Sequence, residues 1–422
     1  MNVLAAAANL AGVAANRINR FGRHAGKRLQ RLWRTGQKSV ESSVHVGRRA
    51  AADTLALPSR ADKAATRTRK RVERFREHVV DPWLEQRAIE RQLAALARGT
   101  GPIVVGPWLS EVGYEVLYWR PFLAWMVDRY RISPERLVAV SRGGVADWYR
   151  GIANRYVELL DLFDPEEFAT RNAARRGSGD QKQLASGEFD AEILERVAAR
   201  HLGGQTPGVC HPSLMFHLFR RFWFGDRSLD YFLNHMRFER MPPPAGEVAG
   251  LPLRYAAVKF YTGAAVPDAP EHRRALRGLV ARVSEQMPVV VLDTGLSLDE
   301  HRDFLFEDVP NVTLLGERLT PASNLAVQTR VIAGASLFLG TCGSLAWLAP
   351  MLGTPTVGVY ADDRFLAPHL FVARHAYRLM GAGLFTTMDL GAVDALDLIP
   401  ELAATTAPRA RTVQEVGRVS HE

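Results

Sequence analysis

The chain has 422 residues, 47% of them hydrophobic and 23% charged, with two cysteines and a formal net charge of +9. That apolar content excludes a disordered chain and predicts two or three domains. Two cysteines, Cys210 and Cys342, offer no disulfide framework and no four-ligand zinc site without several histidines, so a reducing, cytoplasmic setting is expected.

The charge is concentrated at one end: residues 1–80 hold 18 Lys and Arg against 5 Asp and Glu, which leaves the rest mildly acidic. Arg17, Arg20, Arg23, Lys27, Arg31, Arg34 and Lys38 recur every three or four residues, so they share one side of a helix. Leu10, Ile18, Phe21, Leu29 and Leu32 fall on an adjoining side. This pattern fits an anionic membrane surface, and it fits a solvated, partly disordered arm equally well. Nucleic acid is not an expected partner, because no basic stripe interleaved with aromatics follows. The apolar opening run lacks a basic segment before it, and no window approaches about 18 uninterrupted apolar residues, so neither export nor a spanning helix is expected. Residues 1–98 are read as one basic helical tail, interrupted at Pro82.

Beyond Gly99 short apolar runs alternate with longer amphipathic ones. PIVVGP and RLVAVSRGG read as strands, and EVLYWRPFLAWMVDRY and DWYRGIANRYVELLDLF as helices. The polar stretch EFATRNAARRGSGDQKQLASGEFD reads as an exposed insertion or loop, and the aromatic run 216–232 as helix core. MPPPAGEVAGLP supplies the stiffness and turns of an interdomain linker. A second series follows: RYAAVKFYTG, PVVVLDTG and NVTLLGE as strands, with helices at 271–286 and 298–307, then the helix SNLAVQTRVIAGA, the strand SLFLGT, the helix SLAWLAPMLG and the strand TPTVGVY. Such alternation predicts parallel sheets covered by helices. The fold class is therefore α/β: two doubly wound, Rossmann-like domains over 99–240 and 251–395, with a C-terminal tail at 396–422. Ligands of such sheets sit beyond the carboxyl ends of the strands.

Strand SLFLG ends at Gly340, and Thr341, Cys342, Gly343 and Ser344 then open a helix. Free amides and the dipole at such a helix start hold a phosphate without a basic side chain, although a plain N-cap would look the same. Cys342 reads as a small buried residue or a cleft wall. Arg142 and His211 each follow a strand; the first fits phosphate, carboxylate or a local salt bridge, and the second fits a base, an acceptor contact or a satisfied buried histidine. Asp362 and Asp363 after the last strand fit either a ribose or sugar contact or a turn. The sequence has no Asp-x-Asp metal pair, no Gly-x-Gly-x-x-Gly and no Walker lysine loop.

The segment LTPASNLAVQTRVIAGASLFLGTCGSLAWLAPMLGTPTVGVY resembles the donor domain of GT-B glycosyltransferases, in particular the heptosyltransferase-like group of bacterial envelope assembly. GPWLSEVGYEVLYWRPFL resembles that group's acceptor-domain signature, Gly-Asp-Val-Leu followed by a proline, with one residue inserted. The departures are in the donor turn, where the group's Asp-Thr-Gly and following histidine are replaced by Thr341, Cys342, Gly343 and Ala346. A Gly-Thr-x-Gly turn of this kind is also similar to one in fucosyltransferase-like enzymes.

The resemblance implies metal-independent sugar transfer from a nucleotide sugar to an envelope glycan, polysaccharide or lipid-linked acceptor, with no cofactor beyond that substrate. It implies Glu111 or Glu115 as general base; His211, from its place after a strand, is a further candidate. Lys259, Thr341, Cys342, Gly343, Ser344 and Asp362 would hold the donor, and Gly113, Tyr114 and Arg142 the acceptor. The tail would hold the enzyme peripherally at the inner membrane face. Two other readings stay open: a nucleotide-sugar epimerase or pyruvyl transferase on the same fold, and a non-catalytic glycan- or nucleotide-binding scaffold.

Overall fold

The computed structural model describes residues 69–391 except 74, 77–79, 178–181, 226, 294–300 and 365. The basic amphipathic stretch expected before residue 69 and the expected tail at 396–422 lie outside the described residues. The chain divides into two compact units, 1–81 and 82–422. In the first, residues 69–73 are helical, and Arg69 pairs with Glu73 one turn later at 3.0 Å. Everything below concerns the second unit.

Helix α1, Asp81–Arg98, buries Ile89 and Leu93 and leads into the first sheet. That sheet has β1 (Ile103–Val105), β2 (Leu137–Ser141), β3 (Arg155–Glu158) and β4 (Gly208–Cys210) in the order β3-β2-β1-β4. All pairs are parallel, with Ile103 opposite both Leu137 and Gly208. β1 and β2 are buried throughout, which explains why they read as continuous apolar runs rather than alternating ones. Its helices are α2 (Arg120–Tyr130), α3 (Pro165–Gly177), α4 (Glu188–His201), α5 (Pro212–Trp223) and α6 (Leu229–Leu233). A π turn over Glu115–Trp119 precedes α2, with the Arg120 amide bonding to the Glu115 carbonyl five residues back.

Two expectations change here. DWYRGIANRYVELLDLF is not a helix: a 3₁₀ turn at Val145–Tyr149 ends before Gly151, whose φ is +83°, and the edge strand β3 follows. Tyr156 and Val157 favour the pleated surface, and β2 supplies the backbone partners that a helix would otherwise provide. The supposed insertion is largely helical. Asp164 accepts the amide of Glu166 at 2.9 Å to start α3, and Phe168 anchors that helix with no exposure. One buried aromatic among charged residues gives too thin a stripe to read from periodicity.

Residues 242–255 contain neither helix nor strand. The second sheet has β5 (Ala256–Lys259), β6 (Val289–Val291), β7 (Val312–Leu314), β8 (Leu337–Thr341), β9 (Thr356–Tyr360) and β10 (Phe385–Asp389) in the order β10-β9-β8-β5-β6-β7, again all parallel. α7 (Pro270–Gln286), α8 (Asn324–Gly334), α9 (Ser344–Met351) and α10 (Ala367–Met380) cover it. Of the helix expected at 298–307, residues 298–300 lie outside the described residues and 301–307 are not helical. Phe304 and Phe306 are buried while Leu305 is exposed, a two-residue alternation that belongs to extended chain. Asp303 bridges to Tyr261 there.

The two sheets share one apolar core. Trp108, Trp119 and Phe216 from the first half join Leu345, Trp347 and Tyr377 from the second in a single cluster. Polar contacts cross as well: Trp148 Nε1 donates to Thr329 Oγ1 at 3.0 Å, and the Ala326 amide at the start of α8 donates to the Gly143 carbonyl at 2.9 Å. Gly143 and Gly144 have φ of +82° and +78°, and a Cβ on Gly143 would lie 2.9 Å from Leu325 Cγ. Glycine is required at that turn by both conformation and space.

Candidate active-site cleft

A cleft of about 1090 Å³ runs along the carboxyl ends of both sheets. Its first wall grows from the loop after β1. Gln183, fully buried, accepts the Leu109 amide at 2.8 Å and donates to the Pro107 carbonyl at 2.9 Å, fixing the loop that carries Glu111. The Glu111 side chain is 55% exposed, and Lys182 Nζ donates to its Oε1 at 2.9 Å. The same ammonium lies 3.6 Å from the centre of the Tyr114 ring, a cation–π contact. Glu111, Gly113, Tyr114, Tyr118, Lys182 and His369 all line the cleft.

His369 enters this wall from α10 of the opposite half. Its Nδ1 is 2.5 Å from the Tyr118 hydroxyl and its Nε2 is 3.3 Å from the Tyr114 hydroxyl. Burial, reinforced by the Lys182 ammonium, holds the imidazole down to about 4, so it is neutral at pH 7. Burial raises both phenols above the usual tyrosine range, which keeps them protonated.

The sequence named two glutamates as candidate bases, and the structure separates them. Glu115 is 1% exposed and does not line the cleft; its Oε1 accepts from Ser141 Oγ and Tyr149 Oη, both at 2.6 Å, while Oε2 is buried with no hydrogen-bond partner among the described residues. Burial pushes this carboxyl up to about 7, against the lowering effect of those two hydroxyls. A group so enclosed reaches no acceptor; of the two glutamates only Glu111 lines the cleft, whose other lining carboxylate, Asp303, is engaged by Lys259. His211 is also displaced from the candidate list. It is 6% exposed, accepts the Ser213 amide at 3.2 Å to cap α5, lies 3.1 Å from Asp190, and is absent from the cleft wall. Its position is explained by the cap it makes.

The second wall is built from the turn after β8. Thr341, Cys342, Gly343 and Ser344 all line the cleft, as a strand-end turn should. Gly343 has φ of +132°, and a Cβ there would lie 2.7 Å from the Tyr261 hydroxyl. Thr341 Oγ1 accepts the Tyr261 amide at 3.1 Å and donates to its carbonyl at 3.2 Å, so this hydroxyl is committed to the protein. Burial pushes the Cys342 thiol up to about 12, which makes it a wall and not a nucleophile. α9 begins at Ser344, and the Ser344 amide faces Gly113 of the other half, where an added Cβ would come within 2.8 Å.

Lys259 lines the same wall and is engaged: its Nζ donates to the Leu292 carbonyl and to Asp303 Oδ2, both at 2.7 Å. Arg142 is buried in the wall, donating to the carbonyls of Trp108 at 3.2 Å and Ser110 at 2.9 Å. Asp362 is corrected. It accepts from Arg364, which draws its carboxyl down to about 2, and Arg364 rather than Asp362 lines the cleft.

Lys182, Tyr118 and His369 were not anticipated as site residues. Lys182 lies in the polar stretch read as an insertion, and Tyr118 reads as one more apolar position of a helix. His369 follows the last expected strand by nine residues and opens a helix that the periodicity reading did not reach. A histidine beside Pro368, in the first turn of a helix, was the available signal. Among the described residues, no group of three or more His, Cys, Asp or Glu could hold a metal ion, and no helix is long and apolar enough to cross a membrane.

No family model matches the chain, and no curated protein matches it. Among solved structures it is similar to a glycosyl transferase family 9 protein from Veillonella parvula, at 11% identity and a TM-score of 0.40, covering 72% of this chain and 97% of that one. It is also similar to E. coli ADP-heptose heptosyltransferase II, at 12% identity and a TM-score of 0.39, covering 72% and 99% of the two chains. With the E. coli heptosyltransferase WaaC bound to ADP it shares 16% identity over 73% of this chain and the whole of that one, at a TM-score of 0.37.

Proposed function

We propose that the protein transfers a glycosyl group from a nucleotide sugar to the hydroxyl of an envelope glycan, polysaccharide or lipid-linked acceptor, without a metal ion. The observation that carries this reading is one cleft with an exposed carboxylate, Glu111, on one wall and a glycine turn opening a helix, Thr341 to Ser344, on the other. In the reaction the acceptor oxygen bonds to the anomeric carbon, the bond from that carbon to the nucleoside diphosphate breaks, and Glu111 takes the acceptor's proton.

The diphosphate has main-chain amides and the α9 dipole at the turn. Lys259 and Arg364 line the same cleft, so the leaving charge has cationic neighbours without a divalent ion. Gly113, Tyr114 and Arg142 belong to the acceptor side in this reading. The basic tail would hold the enzyme at the cytoplasmic face of an anionic membrane; deleting residues 1–80 should release it from phosphatidylglycerol-containing liposomes, and undiminished sedimentation would refute the anchor.

Thermal-shift screening against ADP-, GDP-, UDP- and CMP-linked sugars should raise the melting temperature for one nucleotide class. No response to any of them counts against transfer. With the responding donor, Glu111→Gln should lower turnover by about 10²–10⁴-fold while donor binding persists. Unchanged turnover removes Glu111 as base.

A further inference from the structure

Tyr118, His369 and Tyr114 form a chain whose polarity can be assigned. Tyr118 is 1% exposed and ringed by Trp223, Phe232 and Tyr114. Of its hydroxyl's polar neighbours, the Trp223 indole can only donate, so the one acceptor within reach among the described residues is His369 Nδ1. A buried hydroxyl proton needs an acceptor, so Tyr118 donates and Nδ1 accepts. The neutral ring then carries its proton on Nε2, where the Tyr114 oxygen accepts it at 3.3 Å. Lys182, which bonds the Tyr114 oxygen, has only protons to give, and among the described residues no hydrogen bond joins that hydroxyl to the nearby Glu111 carboxylate. The Tyr114 proton therefore has no acceptor among the described residues, and Tyr114 lines the cleft.

We propose that His369 is a positioning residue: supplied by the second half, it turns the Tyr114 hydroxyl of the first half into an outward donor for a hydroxyl or ether oxygen of a carbohydrate acceptor. The inference rests on the cleft being the site of glycosyl transfer. Its consequence is that the acceptor subsite is complete only while α10 stays docked on the tyrosines, so acceptor recognition depends on the paired halves and not on the first half alone. The Lys182 ammonium joins this subsite to the base, since it touches both the Tyr114 ring and Glu111.

The tautomer can be read without turnover. In the full chain labelled with ¹⁵N-histidine at pH 7, the side-chain signal that disappears in His369→Gln should be that of a neutral ring protonated on Nε2. In Tyr118→Phe the same signal should shift toward a mixture of tautomers. A ring protonated on Nδ1, a cationic ring, or a signal indifferent to Tyr118→Phe would overturn the proposal.

With methyl glycosides as acceptor probes, Tyr118→Phe and His369→Gln should each raise the glycoside KM about tenfold, the equivalent of roughly one hydrogen bond. The donor KM should rise less than threefold. Equal rises in both would mark the chain as merely structural and overturn the proposal. Failure of every nucleotide sugar to react would defeat the transferase reading, while the tautomer would still decide the role of His369.

Discussion

From the end of β1 through the π turn the chain faces the cleft with side chains: Glu111 with Lys182 on it, then Tyr114 and Tyr118 around His369. Between β8 and α9 the side chains have other tasks. Thr341 holds the Tyr261 backbone, Cys342 fills a buried site, and Gly343 has none, so the surface offered there is largely main chain. The two walls therefore obey different rules. A wall made of side chains changes chemistry when a functional group changes, whereas a wall made of backbone changes only when its conformation or spacing does.

The largest stability effect should come from the first wall, at the carboxyl the cleft does not use. The folded-state value of Glu115, about 7, lies above an ordinary 4.5. Below pH 4.5 both folded and unfolded chains hold the proton and nothing is lost. Between 4.5 and 7 the unfolded chain releases it while the folded one keeps it, so stability falls as pH rises and levels off above 7. The fall is on the order of 3 kcal/mol. Glu115→Gln keeps a neutral group beside Ser141 and Tyr149, so it should flatten this slope and exceed the natural chain in stability at pH 8 but not at pH 4. Urea unfolding at the two pH values checks it. A slope unchanged by the substitution would show that Glu115 is ionised in its site.

The backbone wall should respond to a single methyl. Gly343 occupies a φ,ψ pair of +132°, −174°, a region open almost only to glycine, so Gly343→Ala should cost about 1–3 kcal/mol. It should also weaken nucleotide binding. Tyr261→Phe removes the hydroxyl that the new Cβ would strike but leaves the backbone conformation as it was. The double variant should thus recover only part of the loss in a thermal melt, and full recovery would mean the constraint was the tyrosine alone. Gly113→Ala separates the same two causes from the other side. Its φ is ordinary, so any loss comes from the 2.8 Å approach to the Ser344 amide.

The alternation of the sequence made the sheets legible, because parallel strands buried on both faces must be apolar along their whole length. The turn after β8 was legible for the same reason, since a strand ending in Thr341-Cys342-Gly343-Ser344 has few ways to continue. Edge strand β3 was not, because Arg155 is exposed, Tyr156 is only partly buried and the run resembles a helix face. The division of labour between Glu111 and Glu115 was also hidden. They are four residues apart, and only the π turn, together with Ser141 and Tyr149 from other segments, decides that one is enclosed and the other exposed. His369 reaches Tyr118 across 251 residues, a contact that no local pattern encodes.

The smallest effect should be at Thr341, where the two walls' rules meet in one residue. Its hydroxyl contributes nothing to the cleft in this reading and instead holds the Tyr261 amide and carbonyl, so it is a side chain serving a backbone wall. Thr341→Val preserves shape and leaves both Tyr261 groups without that partner. Because Tyr261 is only half-buried, water can replace part of what is lost, and the cost should be about 1 kcal/mol. Thr341→Ser keeps the hydroxyl and should cost less than the valine variant, although a methyl is gone. Hydrogen exchange at the Tyr261 amide gives the local readout: faster in Thr341→Val, near the natural rate in Thr341→Ser. If serine instead proved the more damaging of the two, the buried methyl would be what holds the turn, and Thr341 would belong with the apolar core.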